Sequence, residues 1–434
     1  MQNLEGLHKL SHIANKTPFF YGWYIVGAAG TSMFVRNAVG SLTLAVFVYP
    51  ISLELGWSRT LISGAASLGG ILSIAGSPPV GWAVDKFGSR IILTIGIIIL
   101  GISTLSLTWA TIPFIFYVSY AIGRVIFTGP IPIAASVVVA RWFIKKRGRA
   151  TGMLSFCHTG GMIVFPAVAS LVIHLHSWQI AWLVLGILVL TISLIPVALL
   201  IVQIPEDVGL LPDGENPDTR EIADSQEQYL DEPIWSLEQA VKTPALWILA
   251  LSTGFVYFIQ AGTNLHLGAY LIDQGLSQGT SNLAIVYSAI GAAAASLIWG
   301  WTSEKLPIRY VFGGVGLLMG ISIGLFTLAD TRVEAYVYAF LFGAAVGGII
   351  VVPPVAYADY FGRKSLGAIR GLTEPFLALG QAIGSVLSGV IFDITGTYKG
   401  AFILYAFLGL AVTFLLFFAK PPKVKMLKTK TEWR

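Results

Sequence analysis

Twelve apolar stretches run from Tyr21 to Phe418, each close to or above the roughly 20 helical residues that a bilayer core requires. Nothing else in the chain constrains its fold as strongly. Lipid offers no hydrogen-bond partner, so every backbone amide at that depth must be satisfied internally. Continuous apolar runs, rather than alternating ten-residue segments, select helices over a barrel. Composition agrees: 55% of the 434 residues are hydrophobic and only 11% charged, whereas soluble domains carry about a quarter charged residues. The expectation is an all-α membrane protein with spans at 21–49, 59–83, 89–109, 113–141, 149–174, 179–202, 245–271, 279–304, 309–329, 334–359, 368–392 and 399–419. The opening residues, with Glu5, Lys9 and Lys16, hold no short apolar core before a small-residue cleavage site, so no removable signal peptide is expected. Cys157 is the single cysteine, which rules out an intrachain disulfide.

The net charge of +5 maps onto topology rather than onto nucleic acid. Arg141, Lys145, Lys146, Arg147 and Arg149 crowd the connector after the fourth span, and Lys420, Lys423, Lys425, Lys428, Lys430 and Arg434 fill the tail. The alternate connectors, such as 108–113 and 174–177, are nearly free of Lys and Arg. By the positive-inside rule both termini face the cytoplasm, in an inner or plasma membrane, with the basic runs against anionic lipid. The segment 203–244 is the long polar stretch and reads as a cytoplasmic linker. It divides an N-terminal six-helix half (1–202) from a C-terminal half with its basic tail (245–434). Residues 234–241 suggest a short amphipathic surface helix.

The two halves repeat in sequence. Gly81, Asp85, Lys86 and Arg90 recur as Gly300, Glu304, Lys305 and Arg309, a constant offset of 219 residues. The same offset carries Gly56 and Ser58 onto Gly275 and Ser277, Gly129 onto Gly348, Gly152 onto Gly371, and Gly161 onto Gly380. Six helices is an even number, so the copies are parallel and related by a pseudo-twofold. Internal repeats of this kind place a transporter's substrate site at their interface.

The GxxxD[K/R]xGxR pattern formed by Gly81, Asp85, Lys86, Gly88 and Arg90, with its second copy at Glu304, Lys305 and Arg309, resembles the connector motif of the major facilitator superfamily. YGWYIV at Tyr21, RWFIKKRGRATG at Arg141, IPEDVGLLPDG at Ile204 and WSLEQAVKTPALWIL at Trp235 resemble the monocarboxylate transporter and oxalate/formate antiporter branch. The resemblance implies the twelve-helix, two-half major facilitator fold, alternating access, and a cavity lined by the first and fourth helices. The sequence departs from that branch in its anion anchors. The eighth-helix acid and arginine of the monocarboxylate carriers are absent from Asn282 to Trp301. Of the oxalate exchangers' eighth-helix arginine and eleventh-helix lysine, only Arg370 offers a counterpart.

An arginine at the bilayer centre costs at least about 3 kcal/mol on insertion scales, so it marks a cavity or a partner. Arg36 in the first helix and Arg124 in the fourth are such residues, and a carboxylate bridging them would gain charge-assisted, bidentate hydrogen bonds. Their symmetry positions hold Phe255 and Gly343. The other half would therefore contribute polar groups: Tyr257, Gln260 and Asn264, spaced to share a helix face, together with Tyr287 and Gln381. His266, Glu374 and Arg370 are candidates for proton coupling. Packing alternatives stand beside each: Arg124 as a pin on backbone carbonyls, His266 as a packing histidine, Arg370 and Glu374 as an intrahelical ion pair, and the amides as interhelical glue. His158 and Cys157 read as packing. Asp85 and Glu304, at helix ends, would each meet a neighbouring helix N-terminus or a basic residue and latch that side shut. Glycine and alanine runs at 289–295 and 343–348 would let helices slide.

The expected function is secondary active transport of small organic mono- or dicarboxylates, with proton symport implied by resemblance. Exchange of oxalate/formate type and efflux of amphipathic compounds are the alternatives, and a non-transporting membrane sensor a more distant one. No nucleophile with base, metal-ligand pair or nucleotide loop is present, so neither an enzyme, nor a metal, nor a cofactor, nor a nucleic-acid partner is expected. One chain contains a complete two-half pore, so a monomer suffices.

Overall fold

The computed structural model describes residues 18–214 and 234–422. Glu5, Lys9, Lys16, most of the acidic linker and the tail from Lys423 onward lie outside the described residues. Twelve helices are long and apolar enough to cross a membrane: α1 Gly22–Leu55, α2 Arg59–Phe87, α3 Ser89–Trp109, α4 Pro113–Trp142, α5 Arg147–Leu175, α6 Trp178–Leu200, α7 Pro244–Asp273, α8 Gln278–Lys305, α9 Ile308–Phe326, α10 Arg332–Phe361, α11 Leu366–Thr395 and α12 Lys399–Phe417. Several extend beyond the apolar runs that announce them, because charges at their ends are paired rather than left to break the helix. Arg147, the first residue of α5, donates to Asp359 on α10 at 2.7 Å. The short surface helix expected near 234–241 is present over Leu237–Ala240, held by a capping box between Ser236 and Gln239.

Two spans are not continuous. In α1 a 3₁₀ turn covers Arg36–Val39, and Gly40 is extended before the helix resumes at Ser41. The carbonyls freed there find partners: Asn37 O accepts from Gly40 N at 3.0 Å and Thr43 Oγ1 at 2.7 Å, and Val39 O from Tyr120 Oη of α4 at 2.9 Å. In α4 the break falls at Gly129, followed by Pro130, whose missing N–H leaves Ile126 O without its helical donor. In lipid such interruptions persist only where protein groups satisfy the released backbone.

One face of the bundle, called here the basic face, gathers the connectors at 88, 143–146, 306–307 and 362–365. On this face the two halves touch backbone to backbone. A side chain at Gly81 of α2 would run into Gly367 O of α11, and one at Gly148 of α5 into Gly300 O of α8. These crossings are related by the offset of 219. Both conserve the same trick: an acid on one helix caps the start of another. Asp85 accepts from Gly367 N (3.0 Å), Ala368 N (2.7 Å) and Arg141 Nη2 (2.9 Å); Glu304 accepts from Arg149 N (2.8 Å) and Arg149 Nε (2.7 Å). The halves are thus clamped at the basic face. By contrast, the glycine–alanine runs sit inside one half. Gly343 abuts Ser288 O and Gly347 abuts Ala292 O, both contacts joining α10 to α8. They lock that half together instead of letting the halves slide.

The IPEDVGLLPDG segment packs on the basic face. Asp213, at φ 60, accepts from Ile144 N, Lys145 N and Lys146 N at 3.0, 2.9 and 2.9 Å, while Lys146 Nζ donates to Asp213 O at 3.1 Å. Its carboxylate serves as an N-terminal cap for α5 supplied by a residue more than sixty positions away.

Candidate functional site

The two interruptions meet. The break in α1 puts Arg36 opposite the break in α4, where Nη1 donates to Phe127 O at 2.8 Å and the guanidinium carbon lies 4.6 Å from the Phe127 ring centre. Arg124, one helical turn before Phe127, places its own guanidinium carbon 4.5 Å from that same centre. Two like charges in a low-dielectric interior repel strongly. The ring that both approach offers its negative π face, an attraction of about 1–2 kcal/mol when desolvated.

The rest of Arg36 faces α5. Its Nε and Nη2 lie 3.4 and 3.3 Å from His158 Nδ1, and Asn37 Nδ2 donates to the same Nδ1 at 3.1 Å and to His158 O at 3.1 Å. Arg36 Nη2 is also 3.3 Å from His158 Nε2, so the guanidinium lies along the edge of the imidazole. His158 is therefore an acceptor that orients Arg36, not the packing histidine that its apolar neighbours in sequence suggest. Cys157 does pack, its Sγ filling the space beside Gly30 of α1. Arg124 is different again. Its Nε and Nη1 are shut off from solvent and have no hydrogen-bond partner among the described residues.

The second half brings a compensating acid. Arg370 and Glu374 form the i,i+4 ion pair expected on α11, at 3.1 Å, with both side chains buried. Glu374 and Tyr257 of α7 lie within electrostatic reach of Arg36, from the other half, without a hydrogen bond or ion pair to it among the described residues. Tyr257 Oη is 3.4 Å from Ile349 O; beneath it Tyr357 Oη meets Thr253 Oγ1 at 3.3 Å, with the Arg370 guanidinium 5.8 Å from the Tyr357 ring centre. Gln260, one turn along α7 from Tyr257, has a buried Oε1 with no partner among the described residues. The cluster thus spans both halves: Arg36, Arg124, Phe127, His158 and Asn37 from one, Tyr257, Gln260, Arg370 and Glu374 from the other.

The comparisons with known proteins fit this architecture. The family model described as Major Facilitator Superfamily matches residues 28–373 and 249–433. This chain belongs to the major facilitator superfamily. Among curated proteins, the membrane sensor protein UhpC of Salmonella typhimurium is 24% identical over 309 residues, 69% of either chain. Monocarboxylate transporter 11 of Homo sapiens is 24% identical over 64% of this chain and 57% of its own length. Of solved structures, the human organic anion transporter MFSD10 aligns with a TM-score of 0.68 at 14% identity, over 92% of this chain and 100% of its own. The proton:xylose symporter XylE aligns with a TM-score of 0.72 at 15% identity, over 92% and 96%. At these identities the structures speak for the fold alone.

In this superfamily member the remaining sequence candidates lie outside the cluster or at its edge. Asn264 is exposed. His266 Nε2 is 3.1 Å from Ser385 O, and its ring centre is 4.9 Å from that of Tyr398, near the face opposite the basic one. Tyr287 stacks on Tyr336 of α10 at 5.0 Å, and Gln381 is half-buried on α11. Of the connector residues, Gly81, Asp85 and Glu304 form the clamps. Gly88 (φ 89) turns α2 into α3 and leaves no room for a side chain beside Gln203. Lys86 lies over the Trp82 ring at 4.6 Å and Arg309 bonds Tyr310 Oη at 2.8 Å; Lys305 is exposed, and Arg90 acts electrostatically on Tyr21. Two open grooves, one walled by Leu68, Ile99, Phe114 and Tyr117 and the other by Ile321, Ile403 and Phe407, are apolar throughout and contain none of the charged cluster.

Sequence reading missed Phe127, His158, Asn37 and the burial of Glu374 within electrostatic reach of Arg36. One signal was available for Phe127: it is three residues after Arg124 and precedes Gly-Pro, the usual mark of a broken helix. The meeting of Arg36 with α4 and α5 had no local signature.

Proposed function

We propose that this protein is a secondary active transporter of small organic anions, working by alternating access in an inner or plasma membrane with its basic face cytoplasmic. The observation that carries the proposal is the cross-half cluster. Arg36 and Arg124 come from one half, Tyr257, Arg370 and Glu374 from the other, and Arg124 holds two buried donors without a partner among the described residues. Unmet buried donors cost about 1–3 kcal/mol each, more when charged, and an entering carboxylate relieves that cost. With the basic face clamped, the anion enters from the opposite side. Its charge offsets the repulsion between the arginines, and the halves rotate about it once the Asp85 and Glu304 clamps release.

Coupling follows from electrostatics. An inside-negative potential opposes entry by about 2.3 kcal/mol per charge per 100 mV, which a co-transported proton or an exchanged counter-anion cancels. Glu374 is the candidate carrier: an anion beside Arg36 weakens the positive field at Glu374, so anion and proton stabilise one another, and that coupling is reciprocal. His266, remote from Arg36, is not given this role. The alternative of a non-transporting sensor draws on the similarity to UhpC. Saturable uptake of a carboxylate by proteoliposomes containing purified protein supports transport. Ligand binding without any uptake, in either direction of gradient, supports the sensor.

A further inference from the structure

The cluster contains more positive charge than one carboxylate can answer. Arg370 pairs with Glu374, Arg36 lies within electrostatic reach of the same acid, and Arg124 shares the Phe127 ring with Arg36 and has no acid of its own among the described residues. His158 serves as an acceptor for Arg36 Nε and supplies no acid to this group. Among the described residues, neighbouring acids are held elsewhere. Glu54 of α1 is held by Trp178 and Gln179 at the opposite face, at 2.7 and 2.8 Å. Asp85 and Glu304 are committed to the clamps, and Asp359 to Arg147. Whether Glu374 is ionised or carries a proton, at least two positive charges remain uncompensated, with Arg36 and Arg370 buried and Arg124 partly so. Such a surplus is costly unless a ligand pairs with it.

The unused hydrogen-bond capacity points the same way. Arg36 is largely satisfied within its own half, by Phe127 O and His158. Arg124 Nε and Nη1 and, in the other half, Arg370 Nε are buried without partners among the described residues. The open donors therefore sit on both sides of the pseudo-twofold, on α4 and α11. A ligand with one acidic group satisfies one side; a ligand with two reaches both.

From this charge count and donor placement we infer that the physiological substrate carries two acidic groups, and so at least two negative charges: a short dicarboxylate or a phosphorylated carboxylic acid, with one acidic group at Arg124 and Arg36 and the other at Arg370. This rests on the organic-anion reading above and narrows it. Gln260 Oε1, a buried acceptor without a donor, suits a hydroxyl or amide N–H on the carbon chain between the acids. Mutual attraction of the two ends to opposite halves also gives a reason for the loaded carrier to close around its ligand.

The test is a series in which size is fixed and charge alone changes. Purified protein in detergent is titrated at pH 8 with succinate, succinamate and succinamide at constant ionic strength, reading the thermal unfolding midpoint, and the same three compounds compete for uptake in proteoliposomes. The inference predicts apparent affinity at least about tenfold tighter for succinate than for succinamate, and none for succinamide, since each charge-assisted pair contributes on that scale. In Arg124→Gln and Arg370→Gln the ratio between succinate and succinamate falls toward one while succinamate still binds. If one of these variants fails to fold, Arg124→Lys and Arg370→Lys, which keep the charge, are predicted to retain the preference for two charges. Equal affinity for succinate and succinamate in the wild-type protein overturns the two-charge inference and leaves the carboxylate transporter reading intact. Absence of binding by every acid in the series overturns both.

Discussion

Phe127 is the residue on which the account of the arginines turns, because both guanidinium groups rest on its ring and its carbonyl holds one of them. Phe127→Leu keeps the apolar bulk and removes the π face. Losing an attraction of about 1–2 kcal/mol for one or both cations is expected to raise the half-saturation for an anion by about tenfold, with the maximal rate nearly unchanged. Phe127→Tyr keeps the wild-type value. Measuring uptake rate against concentration for the two variants checks this; equal loss in both would mean that the ring merely fills space. Arg36 and Arg124 were legible in the sequence because an arginine in an apolar run has few explanations. Their partners were not. Phe127 and His158 look like ordinary apolar-helix residues until folding brings α1, α4 and α5 together. Glu374 looked like half of a local ion pair, which it is, but its proximity to Arg36 depends on how one half sits against the other.

At the scale of elements, the backbone crossings decide which face is closed. Gly81 and Gly300 each lie against a carbonyl-bearing turn of the opposite half, so a branched side chain there must force the helices apart. In Gly81→Val and Gly300→Val the basic face is expected to open. Spin labels at Phe87→Cys and Lys305→Cys, introduced in a Cys157→Ser background, should show a longer and broader distance distribution than in the otherwise native protein. An unchanged distribution would show that the crossings do not control closure. Asp213 makes a second element-level prediction. Asp213→Ala leaves three backbone N–H groups at the start of α5 without their acceptor and is expected to cost about 2 kcal/mol, seen as a lowered unfolding midpoint. Asp213→Asn, which tolerates the left-handed backbone and keeps one acceptor oxygen, should lose less. The helices themselves were plain from hydropathy, and the clamps followed from the repeated connector motif. The breaks in α1 and α4 were less visible, because a 3₁₀ turn at Arg36–Val39 leaves the apolar pattern uninterrupted. The role of IPEDVGLLPDG was hidden for another reason: its carboxylate acts on a loop far away in sequence.

The whole molecule is two six-helix halves clamped at one face around a cluster of three arginines and one buried acid. On the proposed function, closure at that face and unmet donors within would set the sequence of events: entry from the opposite side, pairing of charge, then exchange of one closure for the other. If a proton travels with the anion, lowering the pH on the side opposite the basic face raises the initial uptake rate of a fixed anion concentration. An imposed pH gradient alone then drives accumulation. Glu374→Gln, locked in the uncharged form, should retain exchange of internal for external anion but lose stimulation by the gradient, whereas an exchanger would show no stimulation in the wild-type protein either. The internal offset of 219 residues made the two-half plan readable without a structure. It could not reveal the functional asymmetry, because the symmetry positions of Arg36 and Arg124 hold Phe255 and Gly343, and the compensating groups come from positions that the repeat does not relate.

The central claim is that Arg36 and Arg124 hold the transported anion. Its most direct test is counterflow in proteoliposomes preloaded with a dicarboxylate, comparing the wild-type protein with Arg36→Ala and Arg124→Ala variants that retain a cooperative unfolding transition. The account predicts saturable counterflow in the wild type and a fall of at least about a hundredfold in both variants, the scale expected when a buried charge-assisted pair is removed from a binding site. Counterflow that survives both substitutions would contradict it and assign the arginines to holding α1, α4 and α5 together.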